Sequence, residues 1–141
     1  MQKNLTKELP INIEIMQRLD SVYYKDTGDR GRGVYTSKLL KKGDVIEVCP
    51  VIVLPEHEIE LIDKTNMFNY YFLWQHKQAA IALGYGSLYN HSFEPNAEYV
   101  MDFEGEVLII KALRNISPHD EITFNYNGDP EDREKVWFEA K

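Results

Sequence analysis

Gly84-Tyr85-Gly86-Ser87-Leu88-Tyr89-Asn90-His91-Ser92-Phe93-Glu94-Pro95-Asn96 reads as neither an ordinary helix nor an ordinary strand. The two glycines permit backbone conformations that other residues resist. Asn90-His91-Ser92 offers hydrogen-bonding groups of both kinds. Pro95 fixes its own φ and biases Glu94 away from helix. Apolar, strand-like segments flank this polar loop, and such loops between strands are where sites usually sit.

Working outward, Ala79 to Leu83 is a small apolar strand entering the loop, and Ala97 to Phe103 leaves it as a weakly alternating strand. Glu104-Gly105 predicts a hairpin turn, with Glu106 to Leu113 returning. Ser117 to Asp120 is a turn, and Glu121 to Tyr126 a last strand. Asp129-Pro130-Glu131-Asp132 has an acidic cap and a first-position proline, the signature of a helix start. On the N-terminal side, residues 1–10 are polar, and Ile11, Ile13 and Ile15 alternate with polar neighbours as in a half-buried strand. Val22-Tyr23-Tyr24 and Val34-Tyr35-Thr36 predict short strands around the glycine-rich stretch Asp26 to Gly33. Val45 to Leu54 is a β-branched strand broken by Pro50, and Pro55 to Asp63 predicts one or two helical turns. The aromatic run Phe68, Tyr70, Tyr71, Phe72 and Trp74 reads as core, with Tyr70 or Tyr71 as candidates for lining a groove. His57, His76 and His119 read as surface or turn residues.

A chain of 141 residues, 43% of them hydrophobic, is long enough for one domain with its own core. The net charge of −7 argues against non-specific nucleic-acid binding and suits a basic partner, although a solubilising surface charge reads the same way. The single cysteine, Cys49, rules out an intramolecular disulfide and a cysteine-rich zinc site, so no metal is expected. It sits in an apolar run and reads as core. Neither a signal peptide nor a membrane span is visible, which points to a soluble intracellular protein, cytoplasmic or nuclear according to source.

Three stretches together resemble the SET domain, the fold of many protein-lysine methyltransferases. Gly31-Arg32-Gly33-Val34-Tyr35 resembles that family's opening glycine motif. Asn90-His91-Ser92-Phe93-Glu94-Pro95-Asn96 matches its Asn-His-Ser-x-x-Pro-Asn signature. Glu121-Ile122-Thr123-Phe124-Asn125-Tyr126 resembles its closing strand, which ends in an active-site tyrosine. The resemblance implies a mainly β fold of several small, short-stranded sheets, with a knot-like C-terminal crossing and a short terminal helix. It divides the chain into an N-terminal segment (1–20), the SET domain (21–126) and a C-terminal helical tail (127–141). Phe93 stands where many members have cysteine, Asn125 where many have aspartate, and Ser87 where many have arginine. The cysteine-rich flanking segments of some members are absent, so the chain resembles small stand-alone members.

The implied reaction is methyl transfer from S-adenosylmethionine to a lysine amine, with S-adenosylhomocysteine as product. The substrate is a lysine-containing protein or peptide, a histone or other basic protein being one class that fits. The resemblance implies Tyr126 as the catalytic phenol and as a cofactor neighbour, and Tyr99 as a channel residue that limits product to monomethyllysine. It implies Gly31, Arg32, Gly33, Asn90 and His91 as cofactor-binding, with a solvated loop arginine the other reading of Arg32. Tyr85 and Trp137 are candidates to pack against the cofactor, or else against the core. Phe93, Pro95 and Asn96 read as scaffold, with Asn96 bonding backbone at the crossing. Small members dimerise to complete their clefts, so a homodimer is one arrangement this chain allows. The alternative function is a catalytically weak SET-fold module that binds a peptide or partner.

Overall fold

The computed structural model describes residues 17–134. The alternating segment at Ile11 to Ile15 and the aromatics Trp137 and Phe138 therefore lie outside the described residues. The strands are β1 (Val22–Asp26), β2 (Arg32–Thr36), β3 (Val45–Leu54), β4 (Phe72–Leu73), β5 (Ala79–Ala82), β6 (Asn90–His91), β7 (Ala97–Asp102), β8 (Val107–Ala112) and β9 (Glu121–Phe124). The one short α-helix among the described residues is α1 (Ile59–Ile62), preceded by a single 3₁₀ turn at Glu56–Glu58. No helix among the described residues is long and apolar enough to cross a membrane.

Two sheets result, one of four strands in the order β1-β2-β9-β6 and one of five in the order β4-β5-β3-β8-β7. Their inner faces meet in a shared core. Val22, Val34, Ile122 and Phe124 come from the first sheet, and Ile46, Cys49, Ala80, Leu108 and Ile110 from the second. The β-branched and aliphatic content of these segments suits a pleated, half-buried surface.

Strand β3 explains two departures from the sequence pattern. Pro50 does not break it. The strand pairs with β8 as far as Pro50 and with β5 from Val51 onward. A residue without an N–H thus falls where the strand changes partner, a position a ladder tolerates. A bulge between Val45 and Glu47 shifts the inward phase, so Ile46 and Glu47 are both buried, at 0% and 2% exposure.

The quoted loop is also more ordered than its composition suggests. Asn90–His91 is a strand that runs parallel to Thr123–Phe124, and Ser92 N–H continues the pairing to the Phe124 carbonyl at 3.0 Å. Asn96 anchors this crossing from the side: its amide donates to Glu121 O at 2.8 Å and its Oδ1 accepts from Thr123 N–H at 2.9 Å. Just past the strand, Tyr126 N–H donates to His91 Nδ1 at 3.0 Å. That bond requires a neutral imidazole, and burial lowers the His91 pKa below its usual 6.5.

Two further expectations are corrected. Phe68 and Tyr70 are each 42% exposed and Leu73 is 70% exposed, so the aromatic run is not core. Only Trp74 is buried, while Phe72 packs partly against the core. Asp129 to Asp132 does not start a helix within the described residues. The Asp129 carboxylate caps Glu131 N–H, but the chain makes a single turn, and Asp132 then caps Glu134 N–H in the same way. Two successive side-chain turns compete with a helical ladder and win.

Replacing Asn96 with Ala leaves two β9 backbone groups without partners. We expect a loss of about 2–4 kcal/mol in denaturant unfolding, since each stranded group costs ~1–3 kcal/mol. A loss below ~0.5 kcal/mol would show that the crossing is anchored elsewhere. His91 contributes to stability on the acid side. Its folded pKa lies below its unfolded value, so its contribution is complete above pH 6.5 and is lost as pH falls toward the folded pKa. Melting temperatures should decline below pH 6.5, and the His91 imidazole should titrate by NMR below 6.5; a midpoint at or above that value contradicts this account.

Candidate active site

The crossing brings Tyr126 against the heptad. Its ring lies 5.3 Å from the His91 ring, and its hydroxyl donates to the Tyr89 carbonyl at 2.7 Å. Tyr99, on β7, donates its hydroxyl to the Tyr126 carbonyl at 3.0 Å. Both phenols line a cleft of about 480 Å³, whose walls include Tyr70, Tyr71, Phe72 and Tyr89. Phe72 meets Tyr99 edge-on at 5.1 Å, and Phe124 meets Tyr99 at 4.9 Å from the core side. Tyr70, Tyr71 and Phe72 of the aromatic run thus find their place in the wall of this cleft.

Burial pushes the Tyr99 phenol up to about 12, and pushes Tyr126 further above the ordinary value, with the Glu121 charge adding to the effect. Neither phenol ionises near neutral pH. Each commits its proton to a backbone carbonyl, so what each offers the cleft is oxygen lone pairs. Two acceptors among aromatic faces suit an amine or ammonium group, by hydrogen bonding and by attraction to the ring faces.

A polar cluster forms around Glu121. One carboxylate oxygen pairs with the Arg30 guanidinium. The other accepts from Asn90 Nδ2 at 2.8 Å, and the same amide nitrogen donates to the Arg32 carbonyl at 3.1 Å. Gly33 is needed for close packing here: a Cβ would come within 2.5 Å of the carboxylate and 2.9 Å of the Asn90 amide. Gly31 differs, with φ at +73° and open space around it. The Arg32 residue is exposed, and it enters the cluster through its carbonyl rather than its guanidinium.

Tyr85 lies apart from the cleft lining. The Arg18 guanidinium sits 3.6 Å above its ring, Tyr24 meets it edge-on at 5.3 Å, and its N–H donates to buried Glu47 at 2.9 Å. Glu47 also accepts from the Tyr89 hydroxyl at 2.7 Å and from Arg18 at 3.3 Å. Asn125 is buried, with its Oδ1 accepting from Asn127 N–H at 2.9 Å and its amide donating to Asp132 O at 2.5 Å. A carboxylate could not donate to Asp132, so asparagine at this position is tied to the following turn. Trp137 lies outside the described residues.

The structure therefore gathers Tyr126, Tyr99, Asn90, His91 and Gly33 around one crossing, with the Arg32 backbone beside them. Sequence reasoning missed Glu47, Glu121, Arg30 and Tyr89. Glu47 carried a signal: it is the one charge in the apolar run Val45 to Leu54. Glu121 carried none, because its partners are distant in sequence. No group of three or more metal-ligating side chains occurs among the described residues.

Comparison with known proteins identifies the family. Residues 31–127 match the SET domain. A histone-lysine N-methyltransferase of Schizosaccharomyces pombe, specific for histone H3 lysine 37, is 28% identical over 116 residues, which span 82% of this chain and 75% of that protein. The crystal structure of a candidate histone methyltransferase from Plasmodium falciparum superposes with a TM-score of 0.62 at 31% identity, covering 77% of this chain and 98% of that one. A structure solved to explain the product specificity of histone lysine methyltransferases gives a TM-score of 0.69 at 20% identity, over 89% of this chain and 59% of that one, and speaks for the fold alone. With the family match covering most of its length, this chain belongs to the SET-domain family and is a protein-lysine methyltransferase.

Proposed function

We propose that the chain transfers a methyl group from S-adenosylmethionine to a lysine of a basic protein such as a histone. The observation that carries this reading is the pair of phenols, Tyr126 and Tyr99, which line an aromatic cleft and donate their protons to backbone carbonyls, with the Tyr126 ring 5.3 Å from the His91 ring. The histone relatives and the net charge of −7 favour a basic substrate. The residues fit the cofactor's amino-acid end: Asn90 turns its amide nitrogen to the Glu121 carboxylate and so keeps its oxygen as an acceptor for a ligand, and Gly31 leaves open space where backbone can approach one.

Bound cofactor supplies an electrophilic methyl group on a sulfonium. The protein's part is to dehydrate and aim the amine. A lysine side chain has an ordinary pKa near 10.4, and an apolar cleft next to a positive charge favours its neutral form. Tyr126 accepts one amine N–H and so turns the nitrogen lone pair toward the methyl group. Alignment of this kind is worth several kcal/mol. Tyr99 accepts a second N–H. A methyl group on the nitrogen would have to replace that bond, which limits the product to monomethyllysine.

Tyr126→Phe should lower kcat by about 10²-fold, the scale expected for a positioned hydrogen-bonding group, and change the calorimetric cofactor Kd less than about threefold. Radiolabelled-methyl transfer to histones, cell lysate and a lysine-peptide array measures it; full activity in the variant removes Tyr126 from the mechanism. Because both phenols stay protonated, kcat/KM should climb between pH 7 and 9 as the substrate amine loses its proton. Tyr99→Phe should raise the proportion of di- and trimethylated product by mass spectrometry, and an unchanged product distribution would sink the assignment of Tyr99.

A further inference from the structure

We propose that Glu121 is a positioning residue for the cofactor's α-ammonium group, acting through Asn90. This deepens the cofactor reading above and rests on it. A side-chain amide can present either its NH₂ or its carbonyl, and the two orientations differ by a half-turn about one bond. At Asn90 the choice is fixed. Nδ2 faces two acceptors, Glu121 Oε2 at 2.8 Å and Arg32 O at 3.1 Å. A flipped amide would set its oxygen against a carboxylate and a carbonyl. Oδ1 is therefore the end left to meet a ligand, and it is an acceptor only.

Glu121 is itself held from several directions. Arg30 pairs with its other oxygen, and Asp29 lies 3.6 Å from the Arg30 guanidinium. Asn96 holds the Glu121 backbone carbonyl at 2.8 Å. Gly33 leaves the space that the Glu121–Asn90 hydrogen bond occupies. The Asn90 oxygen, an acceptor on an amide whose nitrogen is held by a carboxylate, is complementary to a cation that donates hydrogen bonds and mismatched to an anion. The amino-acid end of the cofactor carries one group of each kind, so Glu121 selects which of them sits at Asn90. The opening glycine motif, the heptad and the closing strand each contribute one part of this arrangement.

The test separates the ammonium from the rest of the cofactor. Binding of S-adenosylhomocysteine and of methylthioadenosine, which lacks the amino-acid group, is measured by calorimetry on wild type, Glu121→Gln and Glu121→Asp. Thermal melts identify which variants fold. Glu121→Asp keeps the charge but is one methylene too short to hold Arg30 and Asn90 together, so it serves if Glu121→Gln does not fold. We expect about tenfold weaker binding of S-adenosylhomocysteine, in line with the loss of a hydrogen bond to a charged group, and less than about twofold change for methylthioadenosine. In an Asn90→Ala background the Glu121 substitution should cost nothing further, because a residue acting through another shows that coupling in a double-mutant cycle. Equal weakening of both ligands, or no weakening, overturns the proposal. Failure of the wild type to bind either ligand would instead overturn the cofactor reading itself.

Discussion

The molecule depends on one strand pairing, the parallel contact of Asn90–His91 with Thr123–Phe124. It joins segments far apart in sequence, and closing the loop between them costs chain entropy before any contact repays it. Two Asn96 bonds to the β9 backbone and the Tyr126 N–H to His91 bond reinforce it. Without that pairing Tyr126 would end an exposed edge strand. With it, the phenol is delivered to the wall of a cleft whose other side comes from β4 and β7.

Two carboxylates secure the surroundings. Burying a charge is costly unless it is paired and hydrogen-bonded. Glu47 meets that requirement with Arg18, the Tyr85 N–H and the Tyr89 hydroxyl. It thereby holds both ends of the segment whose Tyr89 carbonyl receives the Tyr126 phenol. Glu121 meets it with Arg30 and Asn90. One carboxylate steadies the side of the crossing that faces the aromatic cleft, and the other steadies the side formed by the glycine motif. Each works because its hydrogen-bonding groups are filled by residues that themselves need placing.

How far the sequence discloses this depends on the range of the forces involved. The β-branched run Val45 to Leu54 has the bounds of β3, because the strand preference of its valines and isoleucines is local. The hairpin at Glu104-Gly105 is equally local. Pro50 misleads because its effect depends on which neighbour needs the missing N–H, and that is a tertiary fact. Glu47 is hidden by a bulge that breaks the two-residue period. The run Phe68 to Trp74 misleads for another reason: aromatic content signals burial only on average, and here Tyr70, Tyr71 and Phe72 line a cleft while Trp74 alone is buried. The strand at Asn90–His91 is invisible to any local pattern, since its partner lies beyond a whole hairpin. The family's signature stretches meet at the crossing, but what Gly33 packs against was legible only from Glu121 beside it.

The polarity of the cleft follows from the same crossing. A tyrosine hydroxyl facing a ligand could donate or accept. Here the Tyr126 proton goes to Tyr89 O, in the residue just before β6, and the Tyr99 proton goes to Tyr126 O, just after β9. Both carbonyls belong to the backbone that the crossing fixes in place. The fold has thus settled the direction of both hydrogen bonds before any substrate arrives, and preorganised dipoles cost no rearrangement during reaction. On the proposed reading the amine meets two acceptors at these phenols, and a neutral amine has N–H donors to offer them while its lone pair stays free to react. A scaffold that had left either proton uncommitted could have donated it to that lone pair and blocked the nucleophile. The strand pairing that shapes the cleft therefore also fixes the direction in which its two phenols donate.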